Sequence, residues 1–241
     1  MSQLHIWGRI SSINVRKVVL AAQWMGLNFK RTDAGLSHGI NKTPEYLRMN
    51  PNGQIPVLQD GDFTLWESNV IVRYLCATYG APTLPTACGS LPPEGAVSCL
   101  GRPGAAAYAS HLYPTDLQQR FDAERWMDWQ QTTMNNVGRA SFVEWIRTPG
   151  DKPDMAAIAK SVATTEPQLA MLDTHLSQHA FMAGEQMTMA DFPIACEMHR
   201  WWGLPPQHPA VPRSAYPHLS RWYAGICAQS ASQGVLDIVL S

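Results

Sequence analysis

Apolar and polar positions alternate along Leu4-His5-Ile6-Trp7, the pattern of a half-buried strand. A turn over residues 8–12 follows, and then the period changes. From Asn14 to Met25, Val15, Val18, Val19, Ala22 and Met25 recur at helical spacing, and Gly26 supplies a stop. Phe29-Lys30-Arg31-Thr32 reads as a second strand. Pro56-Val57-Leu58-Gln59 and Phe63-Thr64-Leu65-Trp66 read as two more, joined by a tight turn at Asp60-Gly61. Ser68 to Tyr79 is again helical through Val70, Ile71, Tyr74 and Leu75, with Gly80 at its end. The predicted order is strand–helix–strand, then strand–strand–helix.

From Asp116 onward the strand pattern almost vanishes. Asp116 to Thr148 carries Phe121, Trp126, Trp129, Met134 and Phe142 in a long helical pattern. Ala156 to His179 is predicted as a second helix, kinked at Pro167, and Thr188–Trp202 and Pro217–Ala228 as two shorter ones. Strands followed only by helices predict two domains: an α/β domain over residues 1–81 and an all-α domain over 116–241. Residues 82–115 separate them. Within 83–111 lie four Pro, four Gly, six Ala and three Ser, with Glu94 and Arg102 as the only charges. That composition reads as a linker, an insertion or a mobile flap.

Charge narrows the function. Eighteen Lys+Arg against nineteen Asp+Glu leave a net charge of −1, so no basic excess is available for a phosphate backbone. Charged residues are only 15% of the chain, below the roughly 25% of an average soluble protein. Part of the surface is therefore expected to be covered by a second copy. The five cysteines include no C-x-x-C pair, which argues against a zinc site, a disulfide framework and a dithiol centre. No apolar run approaches the ~18 residues of a membrane span. The expectation is a soluble cytoplasmic protein without metal, nucleic acid or membrane partners.

Three short stretches carry chemistry. Ser11-Ser12 stands after a strand and directly before a helix. A hydroxyl there caps the helix, or it joins the helix's positive end in stabilising an anion such as a thiolate; paired serines can divide these jobs. Asn50-Pro51-Asn52-Gly53-Gln54-Ile55-Pro56-Val57-Leu58 feeds an X-Pro bond into the start of a strand. Were that bond cis, the Ile55 backbone would face outward and could pair with an extended peptide; an ordinary trans loop is the alternative. Glu67-Ser68 opens the second helix, where free N–H groups bind a carboxylate and Glu67 could pair with an ammonium. Simple capping explains that pair equally well.

Together these stretches resemble the glutathione S-transferase family. Its N-P-x-G-x-[VI]-P-x-L motif matches residues 50–58, and its E-S before a helix matches Glu67-Ser68. A third match is Gly184 followed by Thr188-Met189-Ala190-Asp191-Phe192, similar to the family's helical-domain capping motif. There Thr188 would cap, Asp191 would reach back, and Met187 would staple onto Phe192. The resemblance spans the chain except 83–111. It implies a thioredoxin-like glutathione-binding domain, an all-helical domain, a homodimer and a detoxifying transferase. Glutathione would serve as co-substrate, with no further cofactor.

The serine-type branches, theta-like, phi-like and bacterial, place a catalytic Ser four residues before a basic residue. Ser12 before Arg16-Lys17-Val18 fits, with Ser11 as the alternative and Asn14 as a further polar contact to sulfur. The resemblance further implies that Ile55, preceding Pro56, holds the cysteinyl backbone, and that Glu67 and Ser68 hold the γ-glutamyl group. Gln54 and Lys42 would face the peptide, Lys42 near the glycyl carboxylate. Asn41 stands where phi-like members have His. A glutathione-dependent isomerase is disfavoured because Lys17-Val18 departs from that branch's opening. A dehalogenase or a peroxidase of the same fold would use the same thiolate, and a non-catalytic glutathione-binding protein could retain the same residues. His175 and His179 are spaced as potential metal ligands but lack a third, and a solvated helix face is expected. Trp126, Trp129, Trp145, Trp201 and Trp202 are expected in the core, and Cys76 is expected buried rather than reactive.

Overall fold

The computed structural model describes residues 4–80, 111–148, 153–205 and 213–241. Four strands, β1 (Leu4–Trp7), β2 (Phe29–Thr32), β3 (Val57–Asp60) and β4 (Phe63–Trp66), form one sheet in the order β2-β1-β3-β4. β1 and β2 run parallel, with Leu4 opposite Phe29, whereas β3 is antiparallel to both of its neighbours. β3 begins one residue later than the sequence predicts, since Pro56 has no N–H to give a ladder. Helices α1 (Ile13–Trp24) and α3 (Ser68–Tyr79) pack together, and α2 (Pro44–Met49) bridges β2 and β3. This last helix lies outside the predicted pattern. Its Thr-Pro opening is nonetheless a start signal: Thr43 Oγ1 accepts the Tyr46 N–H, and Pro44 occupies the first turn. The arrangement is the thioredoxin-like α/β domain expected.

The second domain is helical. The stretch expected as one long helix is α4 (Leu117–Trp129), a π-helical turn (Gln130–Met134), two short helices α5 (Asn135–Val137) and α6 (Arg139–Phe142), and a second π-helical turn (Val143–Arg147). Such wide turns re-aim side chains and recur at functional sites. Then come α7 (Met155–Gln178), which runs on past Pro167, α8 (Asp191–Trp202) and α9 (Pro217–Cys227). α8 begins three residues later than predicted, because Thr188 belongs to the cap rather than to the helix. The Pro/Gly/Ala-rich segment falls, over residues 81–110, outside the described residues.

The two domains share a core. Leu4, Ile6, Leu58 and Ile71 belong to the same buried cluster as Phe192, Ile194 and Met198. α1 lies between the sheet with α3 on one side and α8 on the other, so every residue from Val15 to Ala22 is buried, Arg16 and Lys17 included. A helix covered all round has no solvent face on which to put charge. Both cations therefore find partners across the domain boundary.

The cap of α8 is as the sequence predicts. Asp191 Oδ2 accepts the Thr188 N–H at 2.9 Å, and Thr188 Oγ1 accepts the Ala190 N–H at 3.3 Å. Asp191 Oδ1 takes two further donors, Met182 N–H at 3.1 Å and Trp222 Nε1–H at 3.0 Å. Met187 and Phe192 are buried in one core. One carboxylate thus ties α8 to α9 and to the Phe181–Gly184 turn.

Candidate active site

The first wall of the site is the turn from β1 into α1. The Arg9 N–H donates to Ala34 O at 3.2 Å and the Ser12 N–H to Arg9 O at 3.1 Å, fixing the turn's shape. Ser12 is the N-cap residue of α1, with φ −81° and ψ 125°, yet its side chain makes no capping hydrogen bond. The capping role offered by the sequence is therefore not taken by Ser12. Among the described residues, Thr43, Asp116 and Asp154 are N-caps that do use their side chains, each accepting a backbone N–H. The Ser12 hydroxyl remains uncommitted at the positive end of a helix.

The second wall is the loop entering β3. Asn50 Oδ1 accepts the Asn52 N–H at 3.1 Å, and Asn41 Nδ2 donates to Gly53 O at 2.7 Å. Gln54 O accepts from Tyr46 Oη at 2.8 Å and Asn50 Nδ2 at 3.0 Å. Gly53 has φ +60°, and a Cβ there would lie 3.0 Å from Asn41 O, so the motif's glycine is required by its turn. The Ile55–Pro56 bond is cis. Val57 pairs with Trp66, so Glu67 and Ser68 follow directly beside Ile55-Pro56. Glu67 adopts φ +72°, one of two non-glycine residues at positive φ among the described residues. Its side chain is exposed, while Ser68 is buried.

Between the domains lies a cleft of about 330 Å³. On the α/β side Arg9, Ser11, Ser12, Lys42, Gln54 and Ile55 line it, and on the helical side Asn135, Arg139, Phe142, Arg147, His199 and Arg200. Four of the residues anticipated from the sequence, Ser12, Lys42, Gln54 and Ile55, thus meet in one place. Pro56, Glu67 and Ser68 are not on its walls; Pro56 is buried, and the other two stand at the head of α3.

Beneath the cleft, a polar network joins the domains. Arg16 Nε donates to Ile10 O at 2.9 Å, and its Nη1 reaches Val235 O at 3.1 Å and His199 Nδ1 at 2.6 Å. His199 Nε2 lies 2.8 Å from Ile238 O and 2.7 Å from Arg16 Nη1; a proton on Nε2 serves the carbonyl and lets Nδ1 accept from Arg16. Burial, reinforced by the Arg16 charge, pushes the His199 pKa down to about 4. Lys17 Nζ donates to Gln130 Oε1 at 2.8 Å and Gln131 Oε1 at 3.1 Å, and burial lowers its pKa to about 8. Gln130 Nε2 donates in turn to Glu197 Oε1 at 2.7 Å, and Glu197 pairs with Arg200 at 3.2 Å. Cys196 touches the cleft, but burial pushes its thiol up to about 12, so it stays protonated and inert.

The remaining residues singled out in the sequence are structural. His175 Nε2 bonds Met182 O at 3.0 Å, and its ring packs on Trp126 and His179. Among the described residues no group of three or more His, Cys, Asp or Glu forms a metal-binding array. Trp126 and Trp201 are buried, Trp129, Trp145 and Trp202 pack against the core, and none of the five lines the cleft. Cys76 is fully buried, which raises its pKa. Among the described residues, no helix is long and apolar enough to cross a membrane.

The sequence pattern alone does not point to Arg9, Arg139, Arg147, His199 or Arg200 as parts of the site. One signal is present: Arg139, Val143 and Arg147 are spaced four apart, which puts them on one helical face.

Comparison with known proteins adds the family. Residues 2–77 match the model described as glutathione S-transferase, N-terminal domain, and residues 140–230 the one described as glutathione S-transferase, C-terminal domain. The chain is 31% identical over 238 residues to glutathione S-transferase GstB of Escherichia coli, covering 98% of this chain and 99% of that one. Glutathione S-transferase 3 of Zea mays is 28% identical, covering 97% and 93%. Among solved structures, the theta class glutathione S-transferase of Xanthomonas axonopodis pv. citri with glutathione bound superimposes with a TM-score of 0.82. It is 34% identical, with both chains fully covered.

Proposed function

The chain belongs to the glutathione S-transferase family, and on that premise we propose that its cleft joins the thiol sulfur of glutathione to small electrophiles, with Ser12 as the catalytic residue. The observation that carries this reading is the uncommitted Ser12 hydroxyl, at the start of α1 and on the cleft wall. A free thiol of pKa about 8.5 is only a few per cent ionised at pH 7. Lowering it by about two units takes roughly 2.7 kcal/mol of preference for the thiolate. A hydrogen bond from the Ser12 O–H, the helix N-terminus behind it and the surrounding cations supply that order. The thiolate then attacks the electrophilic carbon. Ser11, also on the wall, is the alternative donor.

The remaining contacts follow the tripeptide. The Ile55 backbone, ahead of Pro56, would pair with the cysteinyl unit. Ser68 and the first N–H groups of α3 would bind the γ-glutamyl carboxylate, while Glu67 takes its ammonium. Gln54 would face the peptide, and Lys42 the glycyl carboxylate. The reaction uses glutathione as co-substrate and needs no resident cofactor. A detoxifying role in the cytoplasm accords with this chemistry. No observation favours isomerase, dehalogenase, peroxidase or non-catalytic roles over transfer.

Titrating the thiolate's ultraviolet absorbance with glutathione bound tests the proposal. A bound-thiol pKa well below the free value is expected in the wild type and a near-normal one in Ser12→Ala. An identical pKa in both would remove Ser12 from the chemistry.

A second copy is the expected partner. Phe63, Trp66, Val70, Leu117 and Phe121 are all large, apolar and exposed on β4, α3 and α4. Arg73 of α3 bonds Glu124 O and Asp128 of α4, holding these elements side by side. An exposed apolar set of this kind marks an interaction surface. Sedimentation should show a dimer, and Phe121→Glu should shift it toward monomer.

A further inference from the structure

The cleft gathers cations without matching anions. Its walls carry Arg9, Arg16, Lys42, Arg139, Arg147 and Arg200, and no Asp or Glu among the described residues. Among the described residues, Arg200 alone of these cations has an ion pair, to Glu197 behind it. Arg139 has no partner among the described residues. The Arg9 Nε–H is buried without an acceptor, and so is the Arg147 Nε–H.

Arg147 is held in position by stacking at 4.7 Å on the Phe142 ring and by its Nη2–H bond to Ser241 O at 3.2 Å. Arg9 lies so close to Gly35 that a Cβ there would come within 2.6 Å of its Nη1. The chain therefore leaves room for this guanidinium. Burial lowers the pKa of Arg147, and the charges of Arg9, Arg200 and Arg139 lower it further. Mutual repulsion between half-buried cations has a cost that a bound anion removes.

Glutathione does not use up this charge. In the transferase reading, on which this inference rests, its carboxylates go to the head of α3 and to Lys42. Arg139 and Arg147 approach from the helical wall, where the second substrate must enter. We infer that the second-substrate half of the cleft takes a small electrophile bearing a carboxylate, held by Arg139 and Arg147 with Arg9 across the cleft. Planar guanidinium groups match a carboxylate in charge and in hydrogen-bond geometry.

The test uses reagents that differ in one charge. Iodoacetate and iodoacetamide alkylate glutathione in the same way. The thiolate lone pair forms the S–C bond, the C–I bond breaks, iodide leaves with its electron pair, and the thiol proton goes to solvent. Rates are expressed as acceleration over the uncatalysed reaction, at fixed ionic strength and saturating glutathione. The wild type should accelerate iodoacetate at least tenfold more than iodoacetamide. Arg139→Gln should cut the acceleration of iodoacetate about tenfold more than that of iodoacetamide. Equal acceleration of both reagents, or an equal loss of both in Arg139→Gln, would overturn the inference. In that case the cations merely serve the thiolate.

A glutathione-free readout separates this from failure of the transferase reading. Benzoate should raise the melting temperature of the wild type where benzamide does not, and Arg139→Gln should lose the shift. If neither electrophile turns over and glutathione fails to bind, the transferase reading falls, and the benzoate result still decides the anion site. No benzoate shift in that case would overturn the inference as well.

Discussion

Two helix starts in this protein treat the same problem in opposite ways. At α8, Asp191 is fully buried, and its two oxygens accept the N–H groups of Thr188, Met182 and Trp222. At α1, Ser12 is the N-cap residue itself, and its side chain makes no capping hydrogen bond. The carboxylate is committed to holding loops and helices together; the hydroxyl is not committed to the cap. Where polar groups are paired they contribute stability, and where they are left unpaired beside a cleft they are available for chemistry.

Removing the committed group should give the largest effect. Asp191→Ala leaves three buried N–H donors without acceptors, at a cost of about 3–5 kcal/mol. Urea denaturation should show the lower midpoint. Any remaining folded protein should bind glutathione normally, because Asp191 is not on the cleft. Loss of less than about 1 kcal/mol would show that water replaces the carboxylate.

Removing the uncommitted group should do the reverse. Ser12→Ala should lower kcat/KM about 10²-fold, the scale of losing one donor to a developing anion. Its melting temperature should hardly move, since no capping bond is lost. Thr43→Ala is the control. Thr43 does cap, so it should cost about 1 kcal/mol of stability with little effect on turnover.

Acid sharpens the contrast at the floor of the cleft. His199 has its pKa lowered from 6.5 to about 4 in the fold. Between those values the unfolded chain binds the proton and the folded chain does not. Its contribution to stability is therefore present above pH 6.5 and lost as pH falls toward 4. Asp191 works oppositely. Burial raises it from 3.8 to about 6, so its folded form binds the proton first and gains stability over pH 6 to 4. The two partly cancel, and the wild type should be nearly flat there. His199→Gln keeps groups for Arg16 and Ile238 O and removes one side of the balance. Relative to wild type it should gain on the order of 1–2 kcal/mol between pH 7 and 5, measured by denaturation at both values.

Much of this architecture is legible in the sequence, for a physical reason. Strand alternation, helical spacing and the Thr188–Asp191 box are local, so β1, β2, β4 and α3 fall on their predicted residues. The Asn50–Leu58 motif is also local, and Gly53 with its positive φ shows why it reads so clearly. The arginine-lined wall is different. Arg9 lies in the turn before α1 and Arg139 opens α6, and only the tertiary fold sets them on one cleft, while Arg147 closes the π-helical turn Val143–Arg147. Buried Arg16 and Lys17 are visible as neighbours of Ser12, but a one-dimensional pattern does not say that both faces of α1 are covered.

The smallest effect tests the other open helix start. Glu67 opens α3 at φ +72°, with no side-chain capping bond, a conformation that costs a residue with a Cβ roughly 1–2 kcal/mol. If the strain is kept so that a carboxylate faces the glutathione ammonium, two substitutions separate backbone from side chain. Glu67→Ala removes the carboxylate and keeps the strain; Glu67→Gly removes both. Glycine's extra freedom in the unfolded chain takes back about 0.5–1 kcal/mol. Glu67→Gly should therefore be more stable than Glu67→Ala by up to about 1 kcal/mol, while both bind glutathione equally poorly in calorimetry. Equal affinity in the wild type and both variants would mean that Glu67 holds no ammonium, and that its backbone, like the Asp191 cap, serves the fold alone.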